Sequence, residues 1–342
     1  MAYAGVLDDV RASIAGRPTA RHPAFALGEE LDVRLAGMSY EEYSLDARKI
    51  ERALSGGIEL LEYDWAQVYI DDCLELEPLG VGTRGGGNIP RAVSRPLPAT
   101  REAFRGLRIP DPEREGRLPV LLQALRLLRE RWGDSILLCG RAPAPFSCLC
   151  LACGMEAAFL LLHDDPGLAR EAIRRFTEQQ AAVAHAQVRS GAHAIWVGDC
   201  PASSRFIAQD HYLEHALEPA RELVEAVRAD GAISIYFAAE NSLERLDAMA
   251  GVGADILGLG ESVELEEAQR RLHPRCVMGN IDPLALLCRG TPEAVGSRVR
   301  QIRERVSPRG GHLFNTAEGI PRDAPEENVR AMIRAIHGTA KA

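Results

Sequence analysis

Four acidic positions carry the chemistry this 342-residue sequence offers most plainly. Asp71 and Asp72 follow the apolar run WAQVYI, Asp199 follows AIWVG, and Glu318 sits in the turn NTAEGIP. Carboxyl groups at the ends of strands in a concave site act as general acids or bases, or hold cations. Tyr236, inside ISIYF, adds a hydroxyl. Each type also has a structural duty: Asp caps the helix that follows a βα turn, and a Tyr within an apolar run packs in the core with its hydroxyl satisfied. The eight cysteines form a second set. Cys73, Cys148 and Cys200 follow three successive candidate strands, and three thiolates brought together there would suit zinc. The alternative is that small buried cysteines fill space beneath the loops. The run CLCLAC has no second thiol pair at finger-like spacing. His211 and His215 share a helical face, lack the Glu of a zincin motif, and are expected at the surface.

These side chains need elements to position them. Short β-prone runs occur at 65–70, 136–139, 194–197, 233–237, 255–259, 276–278 and 312–315, with a weaker one at 24–27. Between them lie amphipathic stretches at 119–131, 167–190, 212–229, 243–251, 292–306 and 325–337. In the last, Val329, Met332, Ile333 and Ile336 recur at spacings of three and four, giving one apolar face. Eight strands alternating with helices indicate parallel β/α units. Their even spacing favours an α/β fold built as a single (β/α)8 TIM-like barrel over an open doubly wound sheet. The glycine cluster at 82–87 sits in a proline-containing loop with no helix directly after it, and is expected to be a flexible mouth loop rather than a phosphate cradle. In such a barrel the chemistry lies at the C-terminal strand ends. That places Asp71, Asp72, Arg141, Cys148, Asp199, Tyr236 and Glu318 around one mouth.

Composition narrows the partners. The formal charge is −9 with 5% aromatics, a poor balance for nucleic-acid binding, which draws on cationic contacts to phosphates. No run approaches eighteen apolar residues, so no membrane span is expected. Asp8 and Asp9 stand where a signal peptide needs its apolar core, and the reading is a cytoplasmic chain with reduced thiols. One domain over 1–342 is expected, with 1–21 as an N-terminal helical extension.

Two C-terminal stretches, MGNIDPLALLCRGTPEAV and GHLFNTAEGIPRDAPEENVRAMIRAIH, resemble the uroporphyrinogen decarboxylase superfamily. It contains the decarboxylases of haem synthesis and the corrinoid-dependent methyltransferases that act on thiols. The resemblance runs from about Tyr40 to Ala335 and implies one distorted (β/α)8 barrel. The decarboxylases carry an N-terminal segment whose arginines hold substrate carboxylates. Here that region reads HPAFALGEELDVRLAG and has no such pair. A substrate with eight carboxylates needs that positive field. DDCLELEPLGV and AIWVGDCPASS are similar to the methyltransferase branch, matching at Glu75, Glu77, Leu79 and Gly80, and at Gly198, Asp199, Ala202 and Ser203. That branch binds zinc through a His-x-Cys pair and a later Cys. The pair falls here on Tyr236 and Ala238 and the third on Glu318, so zinc is not expected at the family site. A further acidic family position appears as Gly260.

The resemblance therefore implies an enzyme that moves a methyl or other one-carbon group between a corrinoid carrier and a small molecule, the corrinoid being held by a partner protein. Asp199, Glu318, Asp71 and Tyr236 are its expected catalytic residues, with Asp72, Ser203, Arg141 and Asn315 binding substrate. Two other functions stay open: a metal-free decarboxylase (a lyase) acting on a small carboxylate, and a non-catalytic ligand-binding barrel.

Overall fold

The computed structural model describes residues 2–338, so residues 1 and 339–342 of the expected domain lie outside the described residues. Seven strands form one curled parallel sheet: β1 (Trp65–Gln67), β4 (Leu137–Pro143), β5 (Ala194–Gly198), β6 (Ile233–Phe237), β7 (Ile256–Gly258), β8 (Cys276–Met278) and β9 (His312–Leu313), in that order. The α/β architecture is that of a TIM-like barrel. The weak run at 24–27 lies between the two edge strands. Ala24 makes a parallel bridge with Phe314, and the Asp64 N–H donates to the Ala24 carbonyl at 3.0 Å. Trp65 Nε1 donates to the Ala26 carbonyl at 2.7 Å from the same side.

Helices cover the sheet, and their starts follow local capping chemistry. The Thr291 hydroxyl accepts from the Ala294 N–H and Pro292 opens the helix Pro292–Arg305. Asp165 does the same for the 24-residue helix Pro166–Arg189. The helix Val6–Ile14 precedes the first strand-like segment. No single helix among the described residues is long and apolar enough to cross a membrane.

Two expectations are corrected. The glycine cluster is no flexible loop: β2 (Gly82–Gly86) and β3 (Ile89–Arg95) pair antiparallel as a hairpin, with Gly86 and Gly87 at positive φ making the turn. His215 is buried rather than at the surface, because a π-helical turn over Tyr212–Ala216 rotates it inward.

Asp64, at the foot of β1, gathers both ends of the chain. Its carboxylate accepts from the Ala24 N–H at 2.8 Å and from Arg21 at 3.0 Å, and His337 Nε2 of the last helix lies 2.8 Å away.

Candidate active site

A cavity of about 340 Å³ opens at the C-terminal ends of the strands. Its apolar wall includes Leu27, Leu151, Met155, Trp196, Phe206 and Phe237. Its carboxyl and guanidinium groups are those of Glu29, Asp72, Glu318 and Arg141. This position is where the alternating β/α pattern puts chemistry.

Arg141, on β4, is the one cation of the lining. Its Nη2 lies 2.5 Å from Asp72 Oδ1, and its guanidinium stacks over Tyr69 with 4.6 Å to the ring centroid. Asp72 therefore neutralises most of the positive field in the cavity. Behind Arg141, burial lifts the Glu75 carboxyl to about 7. Its Oε2 and Arg141 Nη1 are both buried without a hydrogen-bond partner.

Glu318 stands at the rim, in the loop after β9. Loss of hydration, and then repulsion from Glu261, lift its carboxyl to about 7. Glu29 faces the same cavity from the start of the helix Glu29–Leu35. Loss of hydration raises it to about 8, against the pull of Arg141. It also holds φ at +39°, a conformation that costs energy for a residue with a Cβ and is concentrated at functional sites. The reading of the sequence missed Glu29, because nothing in GEEL distinguishes a cavity acid from the acidic first turn of a surface helix.

Asp199 lies one layer deeper. It is fully buried; Ser147 Oγ donates to Oδ1 at 2.7 Å and the Tyr236 hydroxyl donates to Oδ2 at 2.8 Å. Burial lifts Asp199 to about 6 although both hydroxyls favour its charged form. Ser147, also missed in the sequence, lines the cavity and carries the hydrogen bond between it and Asp199. Tyr236 reaches only Asp199 and, at 3.4 Å, the Tyr212 hydroxyl.

Other expected site residues have structural work away from this cavity. Both oxygens of Asp71 meet Arg117, at 2.7 and 3.1 Å, and Oδ1 accepts from the Cys73 N–H. The chain turns at Asp72, and the two neighbouring carboxyls part there: Asp72 lines the cavity while Asp71 meets Arg117. The Ser203 carbonyl accepts from the Phe206 and Ile207 N–H groups, turning the loop. The Asn315 amide donates to Met278 Sδ at 3.3 Å while its Oδ1 accepts from the Thr316 N–H.

The three cysteines do not converge. Cys148 Sγ donates to the Pro143 carbonyl inside the helix Pro145–Cys153, and Cys73 Sγ donates to the Arg91 carbonyl of the hairpin. Only Cys200 lines the cavity, and burial pushes its thiol up, away from the thiolate a metal needs. No group of three His, Cys, Asp or Glu side chains among the described residues is placed to hold a metal ion. The family's zinc positions fare no better: Tyr236 is committed to Asp199, Ala238 has no donor, and Glu318 is the one of the three left with a free donor group.

Comparison with known proteins gives a consistent picture. The family model described as uroporphyrinogen decarboxylase (URO-D) matches residues 7–339. Curated uroporphyrinogen decarboxylases from Methylococcus capsulatus and Sorangium cellulosum are 30% and 31% identical over 290 and 293 residues. Each match covers 82% of this chain, and 81% and 80% of those relatives. A solved structure described as a methyltransferase from Methanosarcina mazei superposes with a TM-score of 0.86 at 19% identity, covering 95% of this chain and 96% of that one.

Proposed function

The chain belongs to the uroporphyrinogen decarboxylase (URO-D) family, whose named members are enzymes, and we propose that it moves a methyl or other one-carbon group between a corrinoid carrier and a small molecule. The proposal takes the architecture to be a (β/α)8 barrel, with the segment at Ala24 completing the ring between β9 and β1.

One observation carries the reading. Two carboxyls in one small cavity, Glu29 and Glu318, hold protons near neutral pH, at about 8 and 7. An acid with its pKa near working pH is suited to protonate a leaving group. When a methyl group leaves a heteroatom, the carbon–heteroatom bond breaks and its electron pair stays on the heteroatom. The Glu318 proton would bond there, leaving a carboxylate at the rim. In the zinc-dependent relatives that the sequence resembles, a metal would be expected to offset this charge. Here the donor set does not fit zinc, and an acid takes the place of one of its ligands.

A corrinoid, when bound, supplies a metal centre that accepts or gives a methyl group. The carrier would present that centre at the open mouth of the cavity, held by a partner protein. Phe206, half exposed at the rim, is the apolar contact this chain offers to such a carrier. Asp199 would fix the Ser147 hydroxyl against the small molecule, and the apolar wall would exclude water.

Porphyrinogen decarboxylation is disfavoured by charge: one arginine, already matched by Asp72, faces three cavity carboxyls. A second reading, decarboxylation of a small monocarboxylate, rests on Arg141 as the one cation of the cavity lining, where a substrate carboxylate would compete with Asp72 for the guanidinium. The test is incubation of the purified protein with reduced cobalamin and a panel of methylated ethers, amines and thiols, following the cobalamin spectrum. Donor-dependent methylcobalamin formation supports methyl transfer. Carbon dioxide release from small carboxylates without cobalamin supports the lyase. Turnover of uroporphyrinogen would overturn both.

A further inference from the structure

Asp32 is a buried carboxyl that the proposed chemistry does not use. It is 3% exposed and its Oδ1 has no hydrogen-bond partner. Two glycines make room for it. A Cβ on Gly28 would lie 2.1 Å from Asp32 Oδ2, and a Cβ on Gly57 would lie 2.3 Å from Oδ1. An aliphatic side chain in that space would avoid the cost of an unsatisfied buried polar group. Such a departure from local stability rules is expected at functional positions.

Beside Asp32 lies a void of about 10 Å³ whose lining residues include the polar Glu29, Asp32, Tyr63 and Gln67. The Tyr63 hydroxyl is also buried without a partner. A void of roughly 10–15 Å³ with two to four polar neighbours is what one internal water requires. Glu29 and Gln67 line both this void and the main cavity.

We propose that one ordered water fills this void, bonded to Asp32 Oδ1 and the Tyr63 hydroxyl, and that through it Asp32 positions the Glu29 carboxyl at the cavity. Burial keeps Asp32 well above the usual carboxylate range, so it is a neutral partner for that water. Asp32 is thus a positioning residue. The functional weight of the inference rests on Glu29 acting as an acid, whereas the water and its effect on Glu29 do not.

The first test is a high-resolution crystal structure of the full chain. One water within hydrogen-bond reach of Asp32 Oδ1 and Tyr63 is expected, and an empty void or a direct protein partner for Oδ1 overturns the proposal. The second is infrared titration of the Glu29 carboxyl stretch, assigned by its loss in Glu29→Gln. The wild-type midpoint is expected near 8. Asp32→Asn, still polar and neutral, should leave it in place. Asp32→Leu, which expels the water, should raise it by about half a unit or more, since water favours the charged form. Tyr63→Phe should shift it in the same direction by less, and serves if Asp32→Leu does not fold. Unmoved midpoints in both variants overturn the proposal even if Glu29→Gln abolishes methyl transfer. Shifted midpoints with full activity in Glu29→Gln uphold it and overturn the acid role instead.

Discussion

The Glu29 carboxyl occupies the space a side chain on Gly319 would need: a Cβ there would lie 2.2 Å from Glu29 Oε2. The residue after one cavity acid is therefore what admits the other. Glu29 and Glu318 are far apart in sequence, yet the 318–319 pair supplies one proton donor and the clearance for the second.

Gly319→Ala should displace Glu29 without unfolding the protein, because the obstructed atom is the end of a flexible side chain. The Glu29 ionisation near 8 should fall toward the ordinary carboxylate range as the group regains water. Infrared titration reads the shift, and a midpoint still near 8 would disprove the steric link.

Glu318→Gln should lower the rate of transfer by about 10²–10⁴-fold, the range of a general acid. In the wild type the protonated form is the active one, so kcat/KM should fall as pH rises through about 7. That limb should vanish in the variant. A pH–rate profile of equal shape in both proteins would remove Glu318 from the chemistry.

Asp199 makes stability depend on pH in a definite direction. Its folded value, about 6, lies above the ordinary 3.8, so the folded state binds the proton more tightly than the unfolded chain does. Its contribution is complete below 3.8 and is lost as pH rises through 6, about 3 kcal/mol in all. Asp199→Asn cannot titrate. Urea unfolding should therefore show a larger deficit for the variant at pH 4 than at pH 7, by up to about 3 kcal/mol. A deficit equal at both pH values contradicts the assignment.

Asp71→Ala should act on stability rather than chemistry. It strips a buried partner from Arg117, a loss of about 3–5 kcal/mol in general, moderated here because Glu77 still holds the guanidinium at 2.9 and 3.0 Å. Denaturant midpoints should drop, while the activity of the folded fraction is retained. A normal midpoint with lost activity would return Asp71 to the reacting group.

Much of the architecture was legible because its causes are local. Apolar runs such as ISIYF and AIWV form strands over the residues their composition indicates, and Gly-Thr-Pro starts a helix by capping chemistry. The rule that strand ends hold chemistry located Asp72, Arg141 and Glu318 at one cavity. It could not separate Asp71 from Asp72, since the two differ only in which way the chain faces when it leaves β1. Nor could it find Glu29, whose role depends on a left-handed φ and on a glycine 290 positions away in sequence (319 − 29). Ser147 was hidden in a cysteine-rich helix that reads as plain core. The hairpin was missed because glycine and arginine carry little strand propensity, while the pairing of β2 with β3 depends on a turn only glycine adopts easily.

The contacts on Asp64 set a schedule for the molecule's birth. His337 belongs to the last described helix, and it meets a carboxylate 273 positions earlier that also holds Arg21 and Ala24. A ribosome releases these partners in sequence, so the Asp64 contacts at the seam between first and last strands are incomplete until His337 has emerged. Until residues 312–314 emerge to meet Ala24, the nascent chain carries an unpaired sheet edge, a state in which such chains aggregate readily.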